Sequence, residues 1–528
     1  MTLQLDTLES WLWDSADILR GSVDSSDFKN YIFGLLFLKR ASDVFDEEIE
    51  TLTEEEGDGY EYEDAYEDVH FKIPKEAHWK YLIAKGENIG EALDKAFASI
   101  EEENAALKID GVLTAVHFGN KEVLGDETLQ RLLNHFNKYS LRNADLYKPD
   151  MLGDAYEYLI RMFADDAGKK GGEFYTPRGV VKLIVNLLKP EPGNKVYDPT
   201  CGSGGMLIES ARYISKQEGG KTSGGQINCS LSGQEKNLGT WAICKLNMIL
   251  HNYTDADIQK GDTLADPKHR DANDDFMLQD RVIANPPFSL NKWWNRIETN
   301  LAKKVDKNGK EKEVAPNYNK EVSDPYGRFQ YGIPPRGYAD LAFLQHMLTM
   351  LKTDGRMGVV LPHGVLFRGG AEGKIRQQLL ENDLIEAVVG LPSALFYNTG
   401  IPASIIILNK QKQEHLKDKL IIIDGSEQYK EGKNQNALEK EHVDTISEWF
   451  DTFYLNQEAD EENKYARLVE LKEIAENDYN LNIARYIDTS EPEPEINVSE
   501  VLQDIQRIET EEAQIDSKLK GFLNELGY

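Results

Sequence analysis

The chain has 528 residues, 40% of them hydrophobic, with 92 acidic side chains against 60 basic ones and a formal charge of −32. That length exceeds what one core fills and suggests about three domains. The charge excludes a stand-alone nucleic-acid binder, because neutralising phosphates needs local positive charge, so any such contact is local or shared with a basic partner.

The first residues, "MTLQLDTLES", show no basic region leading into an apolar core. No apolar run approaches the roughly 20 residues that a membrane span needs, so a cytoplasmic protein is expected. From Leu3 to about Tyr147 the apolar spacing is mostly helical, which predicts a helical domain over residues 1–150. Its most apolar piece, "FKNYIFGLLFLKRASDVF", reads as a core helix, and the acidic run from Asp46 to Asp68 as a solvated loop.

From about Asp198 to Lys410, apolar runs alternate with amphipathic segments: "KVYDP", "QINCSLSGQE", "ADIQKGD", "RVIANPP", "RMGVVLP", "IEAVVGLP" and "ASIIILNK". Strands alternating with helices predict a doubly wound, Rossmann-like α/β sheet over residues 151–488, with ligands gathered at the C-terminal strand ends. An insert at 291–336 carries Lys292, Arg296, Lys303, Lys304, Lys307, Lys310, Lys312, Arg328 and Arg336, a basic stretch able to face DNA. After the linker "SEPEPE" comes a tail, residues 489–528. Its Val501, Ile505, Ile508, Ile515, Leu519, Phe522 and Leu526 follow steps of four and three broken by Glu512. That is a coiled-coil seam or a helix packed on a partner, with packing on its own chain as the alternative.

"VYDPTCGSGGML" puts Asp198 at a strand end, then a turn with Gly202, Gly204 and Gly205, then a helix whose N-terminus favours anionic groups. The turn is G-x-G-G and not the G-x-G-x-x-G of dehydrogenases. Glu235 in "SGQEKN" ends the next strand, and a fixed carboxylate suits two vicinal ribose hydroxyls. Asp262 in "GDTL" is placed to accept from an adenine amino group. "GGEFYTPRGVVKLIVNLL" reads as an aromatic pair followed by a helix with Thr176 as N-cap and Pro177 at its first position, able to receive an amino-acid carboxylate. Adenine, ribose and an amino-acid tail together describe S-adenosylmethionine. The cysteines Cys201, Cys229 and Cys244 lack zinc spacing, so no metal is expected.

"RVIANPPFSL" ends a buried strand in two prolines, which remove two donors and fix φ twice. A heteroaromatic amine is a poor nucleophile, so its hydrogens must be held and its nitrogen aimed. Asn285 Oδ1 and the Pro286 carbonyl can each accept one N–H, Pro286 and Pro287 keep them rigid, and Phe288 offers a face to a base flipped from a duplex.

"GEFYTPR", "DPTCGSGGML", "GQEKN", "GDTL", "ANPPF" and "LPHGVLFRGGAEGKIRQQLL", in this order, resemble the modification subunit of type I restriction-modification systems, an N6-adenine DNA methyltransferase. "LWDSADILRGSVDSSDFKNYIFGLLFLKRASDVF" is similar to that family's helical domain, and "YNLNIARYID" to its C-terminal boundary. The resemblance implies that Glu173, Phe174, Tyr175, Thr176, Pro177, Arg178, Ser203, Gly204, Gly205 and Glu235 bind S-adenosylmethionine, and that Asn285 to Phe288 form the catalytic turn. It also implies partners: duplex DNA with a flipped adenine, a specificity subunit that reads sequence, a second copy of the chain, and a restriction subunit. The NPPF turn alone also fits enzymes acting on RNA or on protein glutamine, and a scaffold that keeps the fold without catalysis is the remaining alternative.

Overall fold

The computed structural model describes residues 2–24, 27–56, 62–147, 151–166, 176–223, 225–294, 304–305, 311–312, 324–396, 400–432, 435–456, 463–489 and 498–527. Met1–Ile487 forms one compact unit and Asp488–Tyr528 a second.

The principal helices of the first unit are α1 Leu5–Leu19, α2 Phe28–Glu56, α3 Ile89–Glu103, α4 Asp126–Phe136, α5 Met151–Asp166, α6 Arg178–Leu188, α7 Gly205–Ser215, α8 Leu238–Leu250, α9 Asp340–Thr349, α10 Gly370–Glu381 and α11 Lys440–Tyr454. In the first half of α2 the residues Ile32, Phe33, Leu35, Leu36, Phe37 and Leu38 are all buried, so this part is the core helix its sequence predicts. None of the described helices is long and apolar enough to cross a membrane. The acidic run differs from expectation. Asp46–Glu56 continues α2, and Tyr62–Asp68 is helical too. The reason is pairing: Glu50 takes Arg142 at 2.6 and 2.8 Å, and Glu47 accepts the N–H groups of Asn143 and Ala144 at 2.8 and 2.9 Å. These acids tie down the end of the helical region while staying at the surface, so the described part of the run is helical where a loop was expected but solvated as expected.

The nine-stranded sheet comprises β1 Lys195–Asp198, β2 Ser230–Glu235, β3 Asp257–Lys260, β4 Gln279–Ala284, β5 Leu351–Pro362, β6 Ile385–Gly390, β7 Ala403–Asn409, β8 Lys419–Asp424 and β9 Ala466–Glu470. Their order across it is β9-β8-β6-β7-β5-β4-β1-β2-β3, with β7 and β9 antiparallel to their neighbours. Each run expected to be a strand is one; β8 and β9 extend the sheet beyond Lys410. Successive strand residues enter different cores. Val196, Ile283, Val360 and Ile405 pack with the N-terminal helices, α6, α7 and α11, whereas Tyr197, Val282, Val359 and Ile406 pack with α9 and α10. This period of two buries both faces and makes the sheet doubly wound.

The helical region joins the first of those cores through α5, whose Tyr156 lies 4.0 Å from the Phe33 ring centroid and donates to the Ile243 carbonyl at 3.3 Å. On the sheet, buried Arg356 pairs with Glu386 and donates to the carbonyls of Leu187 and Leu188, the unsatisfied C-terminal end of α6. Arg328, counted above among the basic residues of the insert, is withdrawn from the surface. It is fully buried, pairs with Asp324 at 2.9 Å and donates to the carbonyls of Thr263 and Leu264. Arg296, Lys303, Lys307 and Lys310 lie outside the described residues.

Among its described residues the second unit carries one helix, α12 Val498–Glu525, of 28 residues. Val501, Ile505, Ile508, Ile515, Leu519 and Phe522 lie along it as exposed apolar side chains.

Candidate functional site

The chain leaves β1 toward β2 on one side, while β4 pairs on the other, and ligands of open α/β sheets bind outside such a reversal. A cavity of about 570 Å³ opens there, lined from the C-terminal ends of β1, β2 and β4 and from the loop after β3.

The loop after β1 turns through Gly202 (φ +54°) and Gly204 (φ +87°), conformations that side chains disfavour, and Gly204 is the N-cap of α7. Asp198 is buried at the strand end and accepts the Thr200 N–H at 2.9 Å. Burial pushes its carboxyl up to about 8; the hydrogen bonds from Thr200 oppose this and the charge of Glu235 adds to it. Glu235, ending β2, accepts the N–H of Gly202 at 3.1 Å and of Asn237 at 2.7 Å, one on each oxygen. Its carboxyl is raised by burial and held back by those N–H groups. Each oxygen keeps a second lone pair for a ligand hydroxyl. Asp262, beyond β3, accepts the N–H groups of Leu264 and Ala265 at 3.2 and 3.3 Å and pairs with Lys236 at 2.9 Å.

At the end of β4, the Asn285 amide nitrogen donates to the Thr176 hydroxyl at 2.9 Å. Asn285 Oδ1 is buried and has no hydrogen-bond partner among the described residues. An orphaned buried acceptor is costly unless a ligand donor completes it. Thr176 therefore differs from the cap expected of it: α6 starts at Arg178 with Pro177 at the N-cap, and the threonine hydroxyl is given to Asn285. Phe288 packs edge-to-face with Phe396 at 5.4 Å. The turn exits through Ser289 at φ +53°, whose N–H is accepted by Asp340 at 2.8 Å.

Of the residues expected from the sequence, Thr176, Arg178, Asp198, Ser203, Gly205, Glu235, Asp262, Asn285 and Pro287 line the cavity. Pro177, Gly204, Pro286 and Phe288 do not line it but adjoin residues that do, and Glu173, Phe174 and Tyr175 lie outside the described residues. Sequence reasoning missed Glu157, Glu209 and Phe343, which also line it. Each sits on a helix where its spacing looks like any amphipathic pattern. Burial raises the Glu157 carboxyl, with Arg212 opposing at 3.6 Å.

A model of the N-6 DNA methylase family matches residues 147–495, and one of the HsdM N-terminal domain matches residues 8–136. The chain belongs to the N-6 DNA methylase family. This methylase is 33% identical over 547 residues to the type I restriction enzyme MjaVIII methylase subunit of Methanocaldococcus jannaschii, covering 99% of this chain and 85% of that one. It is 30% identical over 567 residues to the MpnII methylase subunit of Mycoplasma pneumoniae, covering 99% and 97%. The crystal structure of the type I restriction-modification methyltransferase subunit from Streptococcus thermophilus superposes with a TM-score of 0.74 at 30% identity, covering 92% of this chain and 100% of that one. The methylase is thus a type I restriction-modification methylase subunit, an adenine-specific DNA methyltransferase. The match of residues 8–136 to the HsdM N-terminal domain favours this family over the RNA and protein-glutamine readings that the NPPF turn alone allowed.

Proposed function

We propose that the cavity holds S-adenosylmethionine and that Asn285, Pro286, Pro287 and Phe288 present the target adenine to it. The orphaned Oδ1 of Asn285 carries this reading: it is a fixed acceptor with nothing in the described protein to accept from. The donor set fits the cofactor. Glu235 has two free lone pairs for the ribose hydroxyls, Asp262 is an acceptor for the adenine amine, and the turn Ser203–Gly205 leads into the N-terminus of α7. Thr176, Pro177 and Arg178 enclose the amino-acid end with Asp198, and Glu173, Phe174 and Tyr175 precede them in the chain. When bound, the cofactor supplies an electrophilic methyl group on a sulfonium.

The chain's own residues supply orientation. Asn285 Oδ1 and the Pro286 carbonyl each accept one hydrogen of the adenine amine, which turns the nitrogen lone pair toward the methyl group. Thr176 holds the Asn285 amide against rotation, so that geometry is kept and not averaged. Phe288, braced by Phe396, provides the face on which the flipped base stacks. No strong base is needed, because the amine loses its proton after transfer.

Sequence choice belongs to a separate specificity subunit, consistent with the charge of −32. Two copies of this chain and one specificity subunit form the cytoplasmic methylase, and a restriction subunit adds cleavage. The deciding experiment pairs calorimetry of S-adenosylmethionine binding with methyl transfer into genomic DNA from a strain lacking the gene. Asn285→Ala in the assembled methylase should bind cofactor normally and transfer no methyl groups. Substantial transfer by this variant overturns the assignment.

A further inference from the structure

The segment "HGVLFRGGAEG", so far without a role, runs beside the helix that follows the catalytic turn. Its Arg368 lies 3.7 Å from Asp340, stacks 4.4 Å from the Tyr338 ring centroid, and stands 3.4 Å from Glu372. Gly364 lies against this guanidinium, and a β-carbon there would oblige the arginine to shift.

Asp340 is completely buried at the first position of α9. One carboxylate oxygen accepts the Ser289 N–H, and the other makes no hydrogen bond among the described residues. Burying a carboxylate this way is expensive, and its only hydrogen bond among the described residues is to the loop and not to its own helix. What it does hold is the exit of the NPPF turn. Ser289 sits at φ +53°, a left-handed conformation that side chains disfavour, and the adjoining Leu290 carbonyl accepts the Ala339 N–H at 3.1 Å. Both ends of that clamp converge on the N-terminus of α9, where a negative charge is favoured.

Resting on the reading of Asn285–Phe288 as the catalytic turn, we infer that Asp340 is its positioning residue, acting through the Ser289 N–H, with Arg368 as the cation that keeps the buried carboxylate in place. Asp340 touches neither cofactor nor adenine. It fixes the strained residue that closes the turn, so that the two acceptors for the amine stay aimed. The sequence feature it explains is the glycine-rich segment, which brings an arginine to a buried acid.

The test uses the assembled methylase and separates kcat from binding. Asp340→Ala should lower kcat roughly a hundredfold, the scale of a misplacement of about 1 Å, with the KM for DNA and the Kd for S-adenosylmethionine unchanged. Asp340→Asn keeps an oxygen for Ser289 and should recover much of the rate. Arg368→Ala, at a half-exposed site whose loss opens no core, should lower kcat about tenfold, and it decides the matter if Asp340→Ala does not fold. The inference is overturned by an unchanged kcat in Arg368→Ala, by a rise in KM for DNA with kcat intact, or by loss of cofactor binding in step with kcat. Asn285→Ala is measured beside them. If it is inactive while the Asp340 and Arg368 variants are normal, only this inference fails; if it is active, the catalytic turn itself is misassigned.

Discussion

Thr176 and Asn285 are 109 positions apart in the chain, yet the hydroxyl of one accepts the amide N–H of the other at 2.9 Å. The bond spends the donor side of Asn285 and leaves its oxygen as the free side. Thr176→Val should therefore lower kcat by about 1–2 kcal/mol of transition-state stabilisation, the scale of one neutral hydrogen bond with its orphaned partner. Single-turnover methyl transfer checks this, and a rate equal to wild type would remove Thr176 from the orienting role.

Glu235, proposed above for the ribose, also serves the protein, because its two oxygens accept the N–H groups of Gly202 and Asn237. Glu235→Ala should weaken S-adenosylmethionine binding by about 1.5–3 kcal/mol and also lower the stability of the ligand-free chain by about 1–3 kcal/mol. Glu235→Gln should lose less of both. Calorimetry and thermal melts read the two effects separately; an unchanged Kd in the alanine variant removes Glu235 from the site.

Asp198 makes stability depend on pH. Its carboxyl rises from an ordinary 3.8 to about 8 on folding, so the folded chain binds that proton more tightly than the unfolded chain does. The stabilisation is fully present below pH 3.8 and is lost as pH rises through about 8. Glu235, raised by the same burial, acts in the same direction. The Tm of the ligand-free protein should fall over this window, and Asp198→Asn should flatten the fall. A variant whose Tm follows the wild-type slope excludes Asp198 as its source.

The tail helix α12 belongs to a unit separate from Met1–Ile487, which has its own cores. Deleting residues after Glu495 should leave cofactor affinity and the main melting transition unchanged, while the methylase no longer assembles with its specificity subunit. Co-purification of the truncated chain with that subunit, at a normal methylation rate, would place the interface elsewhere.

The strands, the order of the motifs and the helical N-terminal region were legible in the sequence, because period-two apolar runs and proline or glycine turns act locally. "ANPPF" announces a rigid turn whatever surrounds it, and "DPTCGSGG" announces a backbone that must take positive φ. What neighbouring residues could not determine was who meets whom. Thr176 has the signature of a helix cap, and only the approach of β4 diverts its hydroxyl to Asn285. Arg328 looks like one more surface cation until the fold buries it against Asp324 and two carbonyls. The run Asp46–Asp68 looks like a loop until Arg142 and the turn after it reach its glutamates and the helix is seen to continue, still at the surface. Asp340, Glu157 and Phe343 have no local pattern at all, since their roles depend on partners distant in the chain, such as Ser289 51 positions from Asp340, or on the wall of a cavity. Backbone conformation follows from nearest neighbours and is written in short stretches; the partner of a polar side chain is selected by burial, and burial exists only once the elements have packed.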